Sequence, residues 1–366
     1  MSEWWDLLGF GRVTIGASIW SSRRSWCRSY AGFDVHRDQI TFDLVDRLSA
    51  EVRTGRLVPA TRAGLCRWLG SVDASRLVVA SEATTGWRFV VEELERAGAR
   101  AVLAEPADTR ALRGPKRRAK TDRADARHLR ELLERDAVPE SWIPPEHVQE
   151  LRTLVRLRQS LVGERHVWLQ RVHAQLFHQG APPARRPLLG PTGAAARALL
   201  SPAGRQLRET AERVCQAVDG EIAGLDQQLA VWAHRHPACR ALQRLFGVGP
   251  ITAVALYAEI GDARRLSSSR QLVRLAGLDV TVSESADKRS PGRLSRQGAP
   301  ILRWAAYEAA LSACRRGSPD HGEYLLLRAR LGHGRATLTI ARKLLRRCYH
   351  LLVAVGDDLL QPLPEP

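Results

Sequence analysis

No stretch of the 366-residue sequence reaches the roughly 18 uninterrupted apolar residues that a membrane-spanning helix needs, so no membrane partner is expected. Residues 1–30 spread Arg12, Arg23, Arg24 and Arg28 among apolar positions, whereas a secretory signal puts its charge ahead of a continuous apolar core. Residues 1–29 are therefore expected to form a loose extension and the chain to work in the cytoplasm. Cysteine is scarce: Cys27, Cys66, Cys215, Cys239, Cys314 and Cys348 form no CxxC pair and no metal-type spacing. That excludes a disulfide framework and a zinc site, and suits a reducing compartment. Acid is short as well. Against 56 Lys+Arg stand 39 Asp+Glu, giving a net charge of +17 and a pI near 10.7. Such an excess calls for a polyanion, and without a membrane the polyanion is nucleic acid. Hydrophobic content of 44% and charged content of 26% exclude wholesale disorder.

Periodicity divides the chain in two styles. Residues 30–46 alternate around a polar break at His36–Asp38, which predicts two strands joined by a tight turn. A short helix over Ala63–Leu69, a buried strand over Arg76–Ala83, a helix over Trp87–Ala97 and a strand over Ala99–Glu105 follow. This order predicts a mixed α/β sheet for residues 30–145. From Asp122 onward the pattern is helical. Leu151, Leu154, Val155, Leu161, Val162, Leu169, Val172 and Leu176 recur at helix spacing, and Gln206–His234 repeats the style beyond a proline-rich loop. Residues 146–240 should form a helical hairpin, a coiled-coil arm. Residues 241–320 are expected to be a further helical domain, and 321–366 a helical tail.

Four acids stand out in the α/β region. Asp34 lies between Phe33 and Val35, Glu82 ends the next buried strand, and Asp122 and Asp125 are three apart at a helix start. Strand ends and a helix N-terminus of one sheet converge, and carboxylates that converge repel unless divalent cations separate them. Magnesium takes such oxygen ligands, and a pair of ions serves phosphodiester displacement. Each acid alone has a bland reading, as helix cap, dipole partner or solvated group. The basic run Arg113, Lys116, Arg117, Arg118, Lys120 and Arg123 weighs against it, because it would draw phosphates to the helix that carries two of the acids.

The segments "AGFDVHRD", "ASEATTGW" and "KTDRADARHLREL", in this order, resemble the DEDD transposases of the insertion-sequence 110 family. The resemblance implies a RuvC/RNase H-like domain whose four magnesium-binding acids correspond to Asp34, Glu82, Asp122 and Asp125.

Two features follow the arm. Gly247-Val248-Gly249-Pro250 between helical pieces resembles a helix-hairpin-helix, which holds a nucleic-acid backbone by its amides, with an ordinary helix corner as the alternative. A basic loop then gathers Lys288, Arg289, Arg293, Arg296 and Arg303 among serines and glycines, a natural phosphate surface. This loop is similar to the C-terminal domain of the same family, where a serine precedes a "GR-hydrophobic-S-x-x-G" motif. Counting back from Gly292-Arg293-Leu294-Ser295 selects Ser285, with Ser283 as the alternative. The resemblance implies that this serine attacks DNA and becomes covalently linked to it. No histidine lies in the loop, so its activation would fall to the metal-bound carboxylates. The family further implies a recombinase acting on donor and target DNA, a guide RNA encoded by the element, a homo-oligomer (dimer or tetramer), and residence at the nucleoid. The rival readings are a RuvC-like junction-selective endonuclease that never uses the serine, and a non-catalytic nucleic-acid-binding protein.

Overall fold

The computed structural model describes residues 27–113, 121–181, 188–190, 193–281, 284–285, 288–289 and 292–363. They form two compact units, the first ending at Ile143 and the second starting at Pro144.

A five-stranded sheet organises the first unit: β1 (Ser29–Val35), β2 (Ile40–Asp46), β3 (Val52–Leu57), β4 (Leu77–Glu82) and β5 (Arg100–Ala104), in the order β3-β2-β1-β4-β5. The first three strands are an antiparallel meander, and β4 and β5 run parallel to β1. Parallel neighbours require crossovers, which α1 (Arg62–Leu69) and α2 (Trp87–Arg96) supply. Period-two alternation then assigns the faces. Phe33, Val35, Leu77 and Val79 pack with Leu65, Trp68, Val90 and Leu94 on one side. After α3 (Pro106–Ala111), α4 (Asp122–Glu134) covers the opposite face, where Leu129 and Leu133 meet Val78, Ala80, Val102 and Ala104.

Gly32 sets how closely α4 approaches. A Cβ there would lie 2.0 Å from the Ala126 carbonyl oxygen and 2.7 Å from the Arg130 nitrogen, so the helix rests directly on β1. Buried Asp43 on β2 fastens the same helix, accepting from Arg130 Nε at 2.5 Å.

Two details depart from the expected pattern. β3 was not legible, because "VRTGRL" is an edge strand exposed along most of its length, and edges tolerate charge where central strands do not. The folded domain also starts before Tyr30. Cys27 is buried with Val78 and Val102, and Arg28 bonds through its backbone to Arg76 and through its side chain to Asp46.

The second unit is helical. The arm is α5 (Glu146–His178) paired with α7 (Pro202–Arg235), with the short α6 (Ala194–Leu199) near its tip. Arg158 pairs with Asp226, and Arg165 pairs with Asp219 at 2.6 Å, so seven residues up one helix match seven down the other. That is the register of an antiparallel hairpin. A small core of Val172, Leu176, Leu188, Leu200 and Ala211 closes the tip. At the base, Arg152 and Arg156 of α5 bond to the carbonyls of Ala258 and Glu259 and to the Glu259 carboxylate.

The remainder comprises α8 (Pro237–Leu242), α9 (Pro250–Ile260), α10 (Ser269–Leu275), α11 (Pro300–Ala313), α12 (His321–Leu331) and α13 (His333–Val355). α9 is buried from Ala253 to Ile260 and forms the centre. Between α10 and α11 two short ladders nest: β6 (Val280–Thr281) pairs with β9 (Arg293–Leu294), and β7 (Glu284–Ser285) pairs with β8 (Lys288–Arg289). No helix among the described residues is long and apolar enough to cross a membrane.

Candidate active site

Strand alternation aims Asp34. Its neighbours Phe33 and Val35 belong to the core on the α1/α2 side, so Asp34 shares the α4 side with Gly32. Thr121 caps α4, its Oγ1 accepting from the Ala124 nitrogen at 3.2 Å. The capping role is thereby filled, and Asp122 and Asp125 in the first turn are released for other work.

The turn between β1 and β2 then grips the cluster. His36 Nε2 lies 3.1 Å from Asp34 Oδ2 and 3.9 Å from Asp122 Oδ1. Gln39 Nε2 donates to Asp122 Oδ2 at 2.8 Å. One ligand atom each from Asp34, His36 and Asp122 fall within 4.8 Å of one another. Glu82 closes β4, one position beyond the Phe33–Ser81 register pair, and so stands at the strand end beside Asp34. Asp125 is held by Arg113, whose Nη1 donates to its Oδ1 at 2.6 Å.

The electrostatics match this crowding. Burial pushes the Asp34 carboxyl above its ordinary range, and the charges of Asp125 and Asp122 push the same way against the opposing pull of His36. A carboxylate so disfavoured is stabilised by a cation. The donor set, hard carboxylate oxygens with one imidazole nitrogen, fits a divalent metal.

Sequence reasoning missed His36 and Gln39. The available signal was the strand period, since His36 follows Asp34 by two positions. Arg113, the first residue of the basic run, also sits on Asp125, a pairing between distant positions that spacing does not reveal. Arg123 is exposed on α4, whereas Lys116, Arg117, Arg118 and Lys120 lie outside the described residues.

In the second unit, Gly247 has φ +90 and a Cβ there would stand 2.3 Å from the Ala309 carbonyl oxygen, so glycine is required for α11 to pack against the hairpin. Gly249 caps α9 in the extended region, with nothing within 4 Å of a built Cβ. The basic loop is braced by its motif residues. Ser295 donates to the Asp279 carboxylate, Arg303 donates to the Ala276 carbonyl at 3.1 Å, and Gly298, at φ +109, leaves no room for a Cβ beside the Leu275 carbonyl. Arg293 and Arg296 are exposed. Ser285 is placed by register alone, opposite Lys288, with Glu284 opposite Arg289. Ser283 lies outside the described residues.

Comparison with known families agrees with both halves. A model of the DEDD type named for IS110, described as a transposase, matches residues 31–178. One described as the transposase IS116/IS110/IS902 family matches residues 239–325. A Pseudomonas aeruginosa protein named "Probable family 20 transposase" is 27% identical over 203 residues, 54% of this chain and 60% of that protein. The transposase for insertion sequence element IS1111A of Coxiella burnetii is 25% identical over 236 residues, 61% of this chain and 64% of that protein. The chain thus spans under two thirds of either relative's length.

Proposed function

From the premise that the chain belongs to the IS116/IS110/IS902 family of transposases, we propose that it cuts and rejoins DNA strands of an insertion sequence at a metal-dependent acid site. The observation that carries this reading is the meeting of Asp34 with Asp122 and Asp125, some ninety positions away, around one half-buried, acid-rich point. The strand order β3-β2-β1-β4-β5 with α4 on one face suits a RuvC/RNase H-like domain. Asp34, Glu82, Asp122 and Asp125 would hold divalent cations, magnesium in the ordinary case. When bound, a pair of such ions supplies charge stabilisation to the attacking and leaving oxygens of a phosphodiester.

The chain's own residues supply the rest. Gln39 and Thr121 fix the start of α4, so that Asp122 faces Asp34. Arg113, with the basic run after it, draws the phosphate backbone toward the acids. The α8–α9 hairpin, with Gly249 uncrowded at the start of α9, offers backbone amides to a second stretch of phosphate. Ser285 is the nucleophile: its oxygen forms a bond to phosphorus as the bond to the departing deoxyribose oxygen breaks, and that oxygen takes up a proton. Attack by another strand's hydroxyl reverses the step and rejoins DNA. A net charge of +17 suits a guide RNA as well as DNA. Association of copies through the arm suits Leu161, Val162, Trp168 and Leu169, which one helix pair leaves half-buried.

Trapping tests the reading. Incubation with cognate DNA should leave an adduct that survives denaturation, lost in Ser285→Ala while cation binding persists. Asp125→Asn should abolish cleavage. Nicks without an adduct would favour the junction endonuclease, and unaltered recombination by Asp125→Asn would refute the metal site.

A further inference from the structure

Among the described histidines, His36 alone joins a set of convergent ligand atoms. It follows β1 immediately, two positions after Asp34, and the strand period returns it to the acid's side of the sheet. Its backbone nitrogen donates to the Gln39 carbonyl at 2.9 Å, closing the turn, and Gln39 in turn holds Asp122. The ring is therefore fixed by a hydrogen-bonded corner rather than carried on a free loop.

The separations resemble those of ligands sharing one ion. Around an octahedral cation with bonds near 2.1 Å, adjacent ligands lie about 3 Å apart and opposite ligands about 4.2 Å apart. His36 Nε2 hydrogen-bonds with Asp34 Oδ2 at 3.1 Å and stands 3.9 Å from Asp122 Oδ1, separations that both fall between these limits. At 56% exposure the side chain is held there without burial forcing it. Magnesium prefers oxygen throughout its shell, whereas imidazole nitrogen favours first-row transition metals.

We propose that His36 Nε2 is a ligand to the cation shared by Asp34 and Asp122, and that this nitrogen biases the position toward Mn2+ over Mg2+. The proposal rests on the metal-site reading above and adds to it a ligand and a selectivity.

Pulsed electron paramagnetic resonance of the full chain loaded with Mn2+ reads the bond directly. Bound Mn2+ should show nitrogen-14 modulation in the wild type and none in His36→Ala. In parallel titrations, His36→Ala should weaken Mn2+ binding about tenfold, while Mg2+ affinity, measured by competition, shifts by less than about threefold. His36→Gln, which keeps the size but offers no imidazole, should behave as His36→Ala does. Absence of nitrogen modulation in the wild type overturns the proposal. So does unchanged Mn2+ affinity in His36→Ala when Asp34→Asn has lost binding, and that result leaves the acid site standing. If Asp34→Asn binds Mn2+ like the wild type, the acid site itself fails and the proposal goes with it.

Discussion

Replacing Gly32 by alanine tests how the fold places the acids. The new Cβ would sit 2.0 Å from the Ala126 carbonyl oxygen, where ordinary contact begins at 3.4 Å. The Cβ position is fixed by the backbone and the oxygen it meets is backbone, so no rotamer can relieve the clash, and α4 must withdraw from β1 by about 1.4 Å. Overpacking of this kind costs about 1–3 kcal/mol. For a unit of roughly 100 residues that is a drop of some 5–15 °C in melting temperature. Because α4 carries Asp122 and Asp125, the same movement opens the acid cluster, and misplacement by about 1 Å lowers a rate by roughly 100-fold. Differential scanning calorimetry and a strand-cleavage assay read the two effects. Gly163→Ala is the control: it lies within α5, a Cβ there meets nothing within 4 Å, and it should hold or raise stability. Wild-type melting and cleavage in Gly32→Ala would refute the claim that contact between α4 and β1 sets the site.

Three further outcomes are expected. Gly247→Ala should lower the melting temperature of the second unit by several degrees, through both its positive φ and the clash with Ala309, whereas Gly249→Ala should leave it within about 1 °C. Glu93 is held near 2 by hydrogen bonds from Arg62, the Cys66 thiol and Arg96. A folded value below the unfolded one contributes stability above about pH 4.5, lost as pH falls toward 2, so urea midpoints between about pH 6 and pH 3 should fall more for the wild type than for Glu93→Gln. Arg113→Ala removes an ion pair that competes with a cation for Asp125. A partly exposed pair is worth about 1 kcal/mol at most, so calorimetry should show Mn2+ binding about two- to fivefold tighter, while DNA retention weakens.

Much of this was legible in the chain because periodicity speaks for central elements. The alternation through Phe33 and Val35, the apolar run over Leu77–Glu82 and the spacing of Asp122 and Asp125 reflect burial on one side of a sheet or helix, and each element lies within a residue or two of its expected place. β3 escaped because an exposed edge strand needs no apolar face. Gly32 looked like one more small residue, since the crowding that requires it comes from Ala126 and Arg130, far along the chain. Arg113 and His36 escaped for a related reason. Charge runs and lone histidines are usually solvated, and only the path of the chain shows that one neutralises Asp125 and the other faces Asp34 and Asp122.

The chemistry proposed for this chain depends on the separated acids forming one cation site. Anomalous diffraction at the manganese edge, from crystals of the full chain grown with Mn2+, measures it most directly. Peaks within bonding distance of Asp34 and Asp122 oxygens, absent in crystals of Asp34→Asn, are the predicted result. A map without density there at saturating Mn2+, or with unchanged peaks in Asp34→Asn, would contradict it.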